Sequence, residues 1–388
     1  MSKIPHVAGR DELAARACAE TGLQDFGDPW IFENLDQLIP ALNNEAQLSA
    51  AGIAGAEAMI VRALVNRLAH VDLVRRHPEI LDEQVDVAAI VAGLPRTGST
   101  MLHRMLAAAP GMTGVRWWET QNYAPLPGTD PHDPAPRRAA GQQIMDYMLE
   151  QAPELTSIHP MNIDQPDEEV IILGQLFSGT MPEAMYYVPS FARWLMRHSR
   201  TRCYADLKQI LQSLQWQDKT RRGCKWVLKT PGHLMALDGV LETFPGAKIV
   251  MTHRDPVATV PSYASMEATL YAMGGSSIDK PSVGRFWEGR WHELLDMFMQ
   301  TREQAGAARF IDVRYADLTA RPIAEGERVL AEAGLAVTPE ISAGMHEWVE
   351  ANRREDRAPH KYTLEEFGFT QAGIEQRFAD YRKRFIMA

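Results

Sequence analysis

Two short segments carry residues whose types and spacing can do chemistry. The first is Gly93-Leu94-Pro95-Arg96-Thr97-Gly98-Ser99-Thr100, spaced G-x-x-x-x-G-S-T. A glycine-containing turn that leads from a strand into a helix is a cradle for an anion. Gly98 permits the tight turn, the backbone N–H groups of 97–100 face the concavity, and the helix start adds unpaired N–H groups and its positive dipole end. Thr97, Ser99 and Thr100 add hydroxyl donors, and Arg96 adds a planar fork that suits a pair of phosphate or sulfate oxygens. The nucleotide-binding phosphate loop reads G-x-x-x-x-G-K-[ST], and its Lys reaches the β- and γ-phosphates. Position 99 here is Ser, so that lysine is missing and the cation inside the loop is Arg96. Ordinary strand-to-helix turns also use Gly, Ser and Thr, but Pro95 to Thr100 directly after an apolar strand favours the anion site.

The second segment is AKIVMTHRDPVATVPSYASM, residues 247–266. Arg254 falls at the C-terminal tip of a buried strand, Asp255 is placed to cap the next helix, and Pro256 suits its first turn. Ser262 follows Arg254 by eight positions, about two helical turns, so both can converge on a second anion. A plain surface pair at a helix start is the alternative for Arg254 and Asp255. Pro261 removes an N–H and is expected to kink this helix near Val257. The triplet His253-Arg254-Asp255 matches the kinase catalytic triplet, but no D-F-G accompanies it, so it reads as coincidence.

The elements that position these residues follow from periodicity. Residues 10 to about 82 read as helices that form an N-terminal cap, with Pro40 expected to end or kink one of them near Ile39. Val85–Leu94 reads as a buried parallel strand. A helix follows the loop as far as Ala109, and residues 125–137, with five prolines, read as loop. Helices are expected over 140–152, 166–178 and, as one long pattern, Arg193 to Gln217. Strands are expected at Lys225–Leu228, Ala247–His253 and Arg309–Val313, with a helix at Leu234–Thr243 and a charged loop at 352–362. Strands separated by helices mean an α/β fold: a central parallel sheet of the phosphate-loop nucleotide-binding type flanked by helices. The expected division is a cap over 1–84 and an α/β domain over 85–388.

The 388 residues carry 40 Lys+Arg and 50 Asp+Glu, a net charge of −10, with 45% hydrophobic and 23% charged residues. That is ordinary globular composition, and its acidic balance argues against a nucleic-acid partner. Cys18, Cys203 and Cys224 give neither a disulfide framework nor zinc-ligand spacing, so a reducing compartment is expected. No signal peptide and no membrane span are apparent, which points to a cytoplasmic protein.

Together the two segments resemble the PAPS-dependent sulfotransferase superfamily, most closely its bacterial branch and more distantly the tyrosylprotein sulfotransferases. In that family a P-[KR]-[ST]-G-[ST]-[ST] loop, matched by Pro95–Thr100, holds the 5′-phosphosulfate. An Arg followed eight residues later by Ser, matched by Arg254 and Ser262, holds the 3′-phosphate. Lys229, in Val227-Leu228-Lys229-Thr230-Pro231, is similar to a family Lys beside the transferred group. Val313-Arg314-Tyr315 resembles the family's fourth-strand ending, which implies that Tyr315 touches the nucleotide. His360-Lys361-Tyr362, with Arg353, Arg354 and Arg357, resembles its basic C-terminal loop over the 3′-phosphate. The resemblance covers roughly residues 85–370. Arg96 stands where the animal cytosolic enzymes have Lys, and Pro261 precedes the serine. It implies 3′-phosphoadenylyl sulfate (PAPS) as co-substrate, adenosine 3′,5′-bisphosphate as product, and a small-molecule acceptor that takes the sulfuryl group on a hydroxyl or an amine; no metal-ligand cluster stands in the sequence, so no metal is expected, and a homodimer stays open.

Within such a framework Arg96, Lys229 and the loop N–H groups neutralise the oxygens of the migrating group, and a general base takes the acceptor proton. Four residues are candidates. His159, in the Ser157-Ile158-His159-Pro160 connection, comes first because bacterial relatives often use a His there. Glu119 resembles the Glu of the tyrosylprotein branch. His233 lies near Lys229 but is shifted from the animal enzymes' base. Glu169 could act itself or orient His159. Trp117, Trp118, Tyr186, Tyr187, Phe191 and Trp194 read first as core and second as the lining of an apolar acceptor pocket. Two other readings stay open: a metal-dependent small-molecule kinase, against which the missing loop lysine stands, and a non-catalytic scaffold, against which Arg96, Lys229 and Arg254 stand.

Overall fold

The computed structural model describes residues 6–151, 161–352 and 362–387. Its centre is a five-stranded sheet in the order β2-β3-β1-β4-β5. The strands are β1 Asp86–Gly93, β2 Met112–Thr113, β3 Lys225–Lys229, β4 Lys248–His253 and β5 Phe310–Arg314. Every pairing is parallel, with Val91 opposite Lys229, Gly93 opposite Thr252, and His253 opposite Arg314. Alternate residues enter opposite cores, as the strand pleat requires. Ile90, Trp226, Leu228, Ile249 and Met251 point into one cluster. Ala89, Val91, Val227, Val250, Ile311 and Val313 point into the other, against Leu102, Met105 and Leu318. A sheet covered on both faces explains why β1 and β4 read as nearly continuous apolar runs.

The N-terminal helices Arg10–Thr21, Trp30–Asn44 and Ala50–Arg76 share the first of these cores. Asn66 Nδ2 ties them to the α/β part, donating to Gln121 O and to Gln175 Oε1, both at 2.8 Å. The helix containing Pro40 continues to Asn44, and the helix Pro256–Met273 likewise runs through Pro261 as one element.

Several boundaries differ from the sequence expectation. The helix expected from residue 140 starts at Ala135, with Asp133 Oδ1 accepting from Ala135 N at 2.9 Å and Pro136 in its first turn. The long pattern Arg193–Gln217 is two helices, Pro189–Met196 and Thr201–Gln217; buried Arg200 turns the chain between them and reaches Ser178 Oγ at 3.4 Å. The expected helix 166–178 shrinks to Val170–Gln175 because Asp167 is held in an extended segment, its N–H donating to Val115 O at 2.8 Å. Edge strand β2 had no sequence signal: it pairs only Met112 and Thr113 with β3.

Candidate active site

The order of the strands dictates where a ligand can lie. The chain leaves β1 toward β2 and β3 on one side, then crosses to β4 and β5 on the other. A crevice opens at such a switch point, outside the carboxyl ends of the strands. The loop after β1 sits in that crevice, with Lys229 ending the strand on one side and Arg254 directly following the strand on the other.

The loop is shaped by its glycines and by Thr97. Gly93 (φ +135°) passes so close to β4 that a Cβ there would sit 2.5 Å from Thr252 Oγ1. Gly98 (φ +83°) precedes the helix Ser99–Ala107 and is backed by Tyr315 and Leu318, which a Cβ would meet at 3.2 and 3.1 Å. Thr97 Oγ1 is 2.6 Å from both Leu94 O and Thr252 Oγ1, and Thr252 Oγ1 donates on to Ala92 O at 3.0 Å. The Thr97 hydroxyl therefore braces the loop from behind. Among the described residues no side chain caps the Ser99–Ala107 helix. Its first N–H groups, with the Ser99 and Thr100 hydroxyls beside them, suit an anion.

Lys229 Nζ donates to Thr100 Oγ1 at 3.3 Å and to Glu168 Oε1. The backbone N–H of Lys229 donates to Glu169 Oε2 at 2.7 Å. On the other side, Arg254 Nη1 donates to Arg96 O at 2.8 Å, and its guanidinium lies 4.2 Å from the centre of the Tyr315 ring. Arg96 itself has φ +69°, a left-handed conformation unusual for a side-chain-bearing residue. Ser262 is buried in the second turn of the helix that Arg254 leads into, and Tyr362 OH reaches Ala258 O of that helix at 3.5 Å. Adjacent strands are ~4.8 Å apart, so Lys229 and Arg254, with β1 between them, stand about 10 Å apart at their strand ends.

The structure thus gathers Arg96, Thr97, Gly98, Ser99, Thr100, Lys229, Arg254 and Tyr315 by direct contact, with Ser262 and Tyr362 on or against the adjoining helix. His159 and Lys361 lie outside the described residues. Glu119 is not brought to Lys229. It is buried, accepts from Arg116 N and from Arg221 Nη2, both at 2.8 Å, and stands by the start of β3, where Arg221 covers Trp226. His233 is sealed in, sharing a 2.7 Å hydrogen bond with Tyr204 OH through Nδ1. Burial, helped by the Lys229 charge, lowers its pKa to about 3. Glu169 is equally sealed, and burial raises its pKa well above the ordinary carboxylate range. His233 Nε2 and Glu169 Oε2 lie 3.8 Å apart, and burial disfavours the charged form of each.

Trp117 and Trp118 are buried with Met145 and Ile163, and Tyr186 and Phe191 belong to the main core. In the sequence Glu168 stands out only within the run Asp167-Glu168-Glu169, as a group able to hold the His159 ring; its contact with Lys229 has no sequence signal. Among the described residues, no group of three His, Cys, Asp or Glu is arranged to hold a metal ion.

A lysine-free phosphate loop flanked by cations from both neighbouring strands defines a class: a phosphate-loop-type α/β protein with positive charge on both sides of its loop. Comparison with known proteins gives the family. The sulfotransferase family model matches residues 89–339, and the chain belongs to that family. It is similar to the crystal structure of sulfotransferase STF1 from Mycobacterium tuberculosis, at 30% identity over 97% of this chain and 99% of that one, with a TM-score of 0.83. Sulfotransferase STF9 from Mycobacterium avium is 25% identical over 100% of this chain and 98% of that one, with a TM-score of 0.86. The omega-hydroxy-beta-dihydromenaquinone-9 sulfotransferase Stf3 of Mycobacterium bovis is 26% identical over 264 residues, 64% of this chain and 63% of the relative's length.

Proposed function

We propose that this protein transfers the sulfuryl group of PAPS to a hydroxyl group of a small apolar acceptor and releases adenosine 3′,5′-bisphosphate. The observation that carries the reading is the line of Lys229, the β1 loop and Arg254 along the carboxyl edge of the sheet. PAPS fits it. The 5′-phosphosulfate suits the uncapped helix start with Arg96, Ser99 and Thr100, and the 3′-phosphate suits Arg254 with Ser262, with Tyr315 and Tyr362 beside them. Lys229 stands across the loop from Arg254, next to Thr100.

In the reaction the acceptor oxygen bonds to sulfur as the bond from sulfur to the 5′-phosphate oxygen breaks. Negative charge moves onto the leaving phosphate. Fixed donors aimed at that charge lower the barrier, and most of the catalysis is then positioning and electrostatics. Lys229 and the loop N–H groups supply these donors from rigid elements, which is where such groups hold their geometry best. An alcohol on an apolar body is supported as acceptor by the Stf3 relative, whose name gives an omega-hydroxylated dihydromenaquinone. The three cysteines are free thiols, which suits a reducing, cytoplasmic setting. No helix among the described residues is long and apolar enough to cross a membrane.

The test is a thermal-shift comparison followed by turnover with PAPS and a library of phenols, sterols and long-chain alcohols. Adenosine 3′,5′-bisphosphate is expected to raise Tm, and sulfated product to form from PAPS. Stabilisation by ATP with magnesium, with none by the bisphosphate, would put a kinase in its place.

A further inference from the structure

Glu168 lies against the lysine at the centre of the site. Its Oε1 accepts from Lys229 Nζ, which also reaches Thr100 Oγ1 at 3.3 Å, so carboxylate, lysine and loop hydroxyl form one contiguous group. The backbone around Glu168 is held on both sides. Arg104 grips buried Asp167 at 2.8 Å, the Glu168 N–H donates to Asp167 Oδ1 at 2.7 Å, and buried Glu169 accepts from Lys229 N at 2.7 Å. Between two sealed carboxylates, Glu168 keeps its side chain 16% exposed, against 3% for Lys229. Glu168 is therefore the solvent-reachable member of the pair, and the lysine the enclosed one.

We propose that Glu168 is the general base of the transfer, a role that rests on the sulfotransferase reading. Lys229 turns from Glu168 to the donor oxygens when PAPS binds. Glu168 then loses its partner, and its carboxylate is released to the acceptor. The acceptor O–H proton moves to a Glu168 carboxylate oxygen, the acceptor oxygen forms its bond to sulfur, and the electron pair of the breaking sulfur–oxygen bond stays on the 5′-phosphate. The carboxylic acid returns its proton to solvent. Other groups near Lys229 are less suited. His233 and Glu169 are 0% exposed, and Glu119 is held by Arg221 at the far end of β3.

A base matters in proportion to the acceptor's need for one. The experiment compares 4-nitrophenol, which ionises near neutral pH, with a long-chain primary alcohol, both with PAPS as donor. Glu168→Gln is expected to lower kcat for the alcohol by ~10²–10⁴ and for 4-nitrophenol by less than about tenfold, while affinity for adenosine 3′,5′-bisphosphate stays within a few-fold. Glu168→Ala with added formate is expected to regain alcohol turnover, a recovery that a purely structural role would not give. His159→Ala is expected to leave the ratio of the two rates unchanged. Equal losses on both acceptors with no formate rescue would overturn the assignment. So would a selective loss in His159→Ala that is absent from Glu168→Gln. A wild-type protein inactive on every acceptor would overturn both this assignment and the function it rests on.

Discussion

Arg254 holds Arg96 by its backbone: its Nη1 donates to the Arg96 carbonyl at 2.8 Å, across the gap between β4 and the β1 loop. Arg96 is in the left-handed region at φ +69°, a conformation that costs a non-glycine residue roughly 1–2 kcal/mol. The bond from Arg254 helps to keep it there, so the proposed 3′-phosphate contact and the loop are one mechanical unit.

Arg254→Ala is therefore expected to act twice. Loss of a charge-assisted contact to the 3′-phosphate should cost about 1.5–3 kcal/mol of bisphosphate affinity. Loosening of the loop should also weaken AMP, by a few-fold. Arg254→Lys keeps the charge but loses the fork and the stacking on Tyr315, so it should rescue only in part. Calorimetric titration with the two nucleotides reads the difference. Equal losses for both would remove Arg254 from the 3′-phosphate.

Lys229 should show the opposite division. Lys229→Met is expected to lower kcat by about 10²–10³, the usual loss for one transition-state donor. Bisphosphate affinity should change little, because the sulfuryl group is absent from that ligand. Turnover should be indifferent to EDTA, since Arg96, Lys229 and the loop N–H groups provide the positive charge. Loss of activity in EDTA with recovery in magnesium would return the kinase reading.

The proposed binding loop was legible because its chemistry is local. Gly93 to Thr100 and Arg254 to Ser262 each lie on one strand–loop–helix unit, so spacing alone placed each set on its turn. The sheet was legible for the same reason: buried parallel strands are short, apolar and flanked by turn signals. What failed to show was set by tertiary contact. Glu119 belongs to Arg221, about a hundred positions away, and no spacing reveals that partner. Glu168 meets Lys229 only because Asp167 is pulled extended toward Val115, where periodicity favoured a helix. The break between Met196 and Thr201 depends on buried Arg200 and lacks any glycine or proline to announce it.

Acid should destabilise the fold through its buried imidazoles, and His70 isolates the effect. Its ring is buried between its own helix, Ala50–Arg76, and the helix Thr201–Gln217, with Nε2 2.9 Å from Ser213 Oγ, and burial lowers its pKa to about 3. The unfolded chain takes up that proton near pH 6.5, and the folded one does not until about pH 3. Between those values the unfolded state holds more protons, so stability falls as pH falls, by up to about 1.4 kcal/mol per pH unit for one group. Glu169 and Glu267, raised by burial, act in the opposite sense above the ordinary carboxylate range, so the total slope is smaller. His70→Gln should therefore lose less stability than wild type between pH 7 and pH 5 in urea unfolding. Parallel losses in the two proteins would mean that His70 is protonated in the folded state.

The C-terminal segment should set donor affinity without touching the donor. Arg382 grips Asp255 through Nε at 3.1 and 3.2 Å and through Nη2 at 3.0 Å. Asp255 in turn caps the helix that carries Ser262, accepting from Val257 N at 3.0 Å. One residue earlier, Tyr381 OH shares a 2.8 Å hydrogen bond with His253, whose other ring nitrogen is 2.9 Å from Asp312, itself held twice by Arg302 at 2.7 Å. Both residues that flank Arg254 are thus fixed from the chain's end. Arg382→Ala should leave Arg254 less well aimed. KM for PAPS is expected to rise several-fold while kcat stays within about twofold, and Arg382→Lys should recover part of the loss. The ion pair is partly exposed, so global stability should fall by no more than about 1 kcal/mol. A fall in kcat at unchanged KM, or a collapse of the urea midpoint, would show that the segment supports the fold at large and does not aim Arg254.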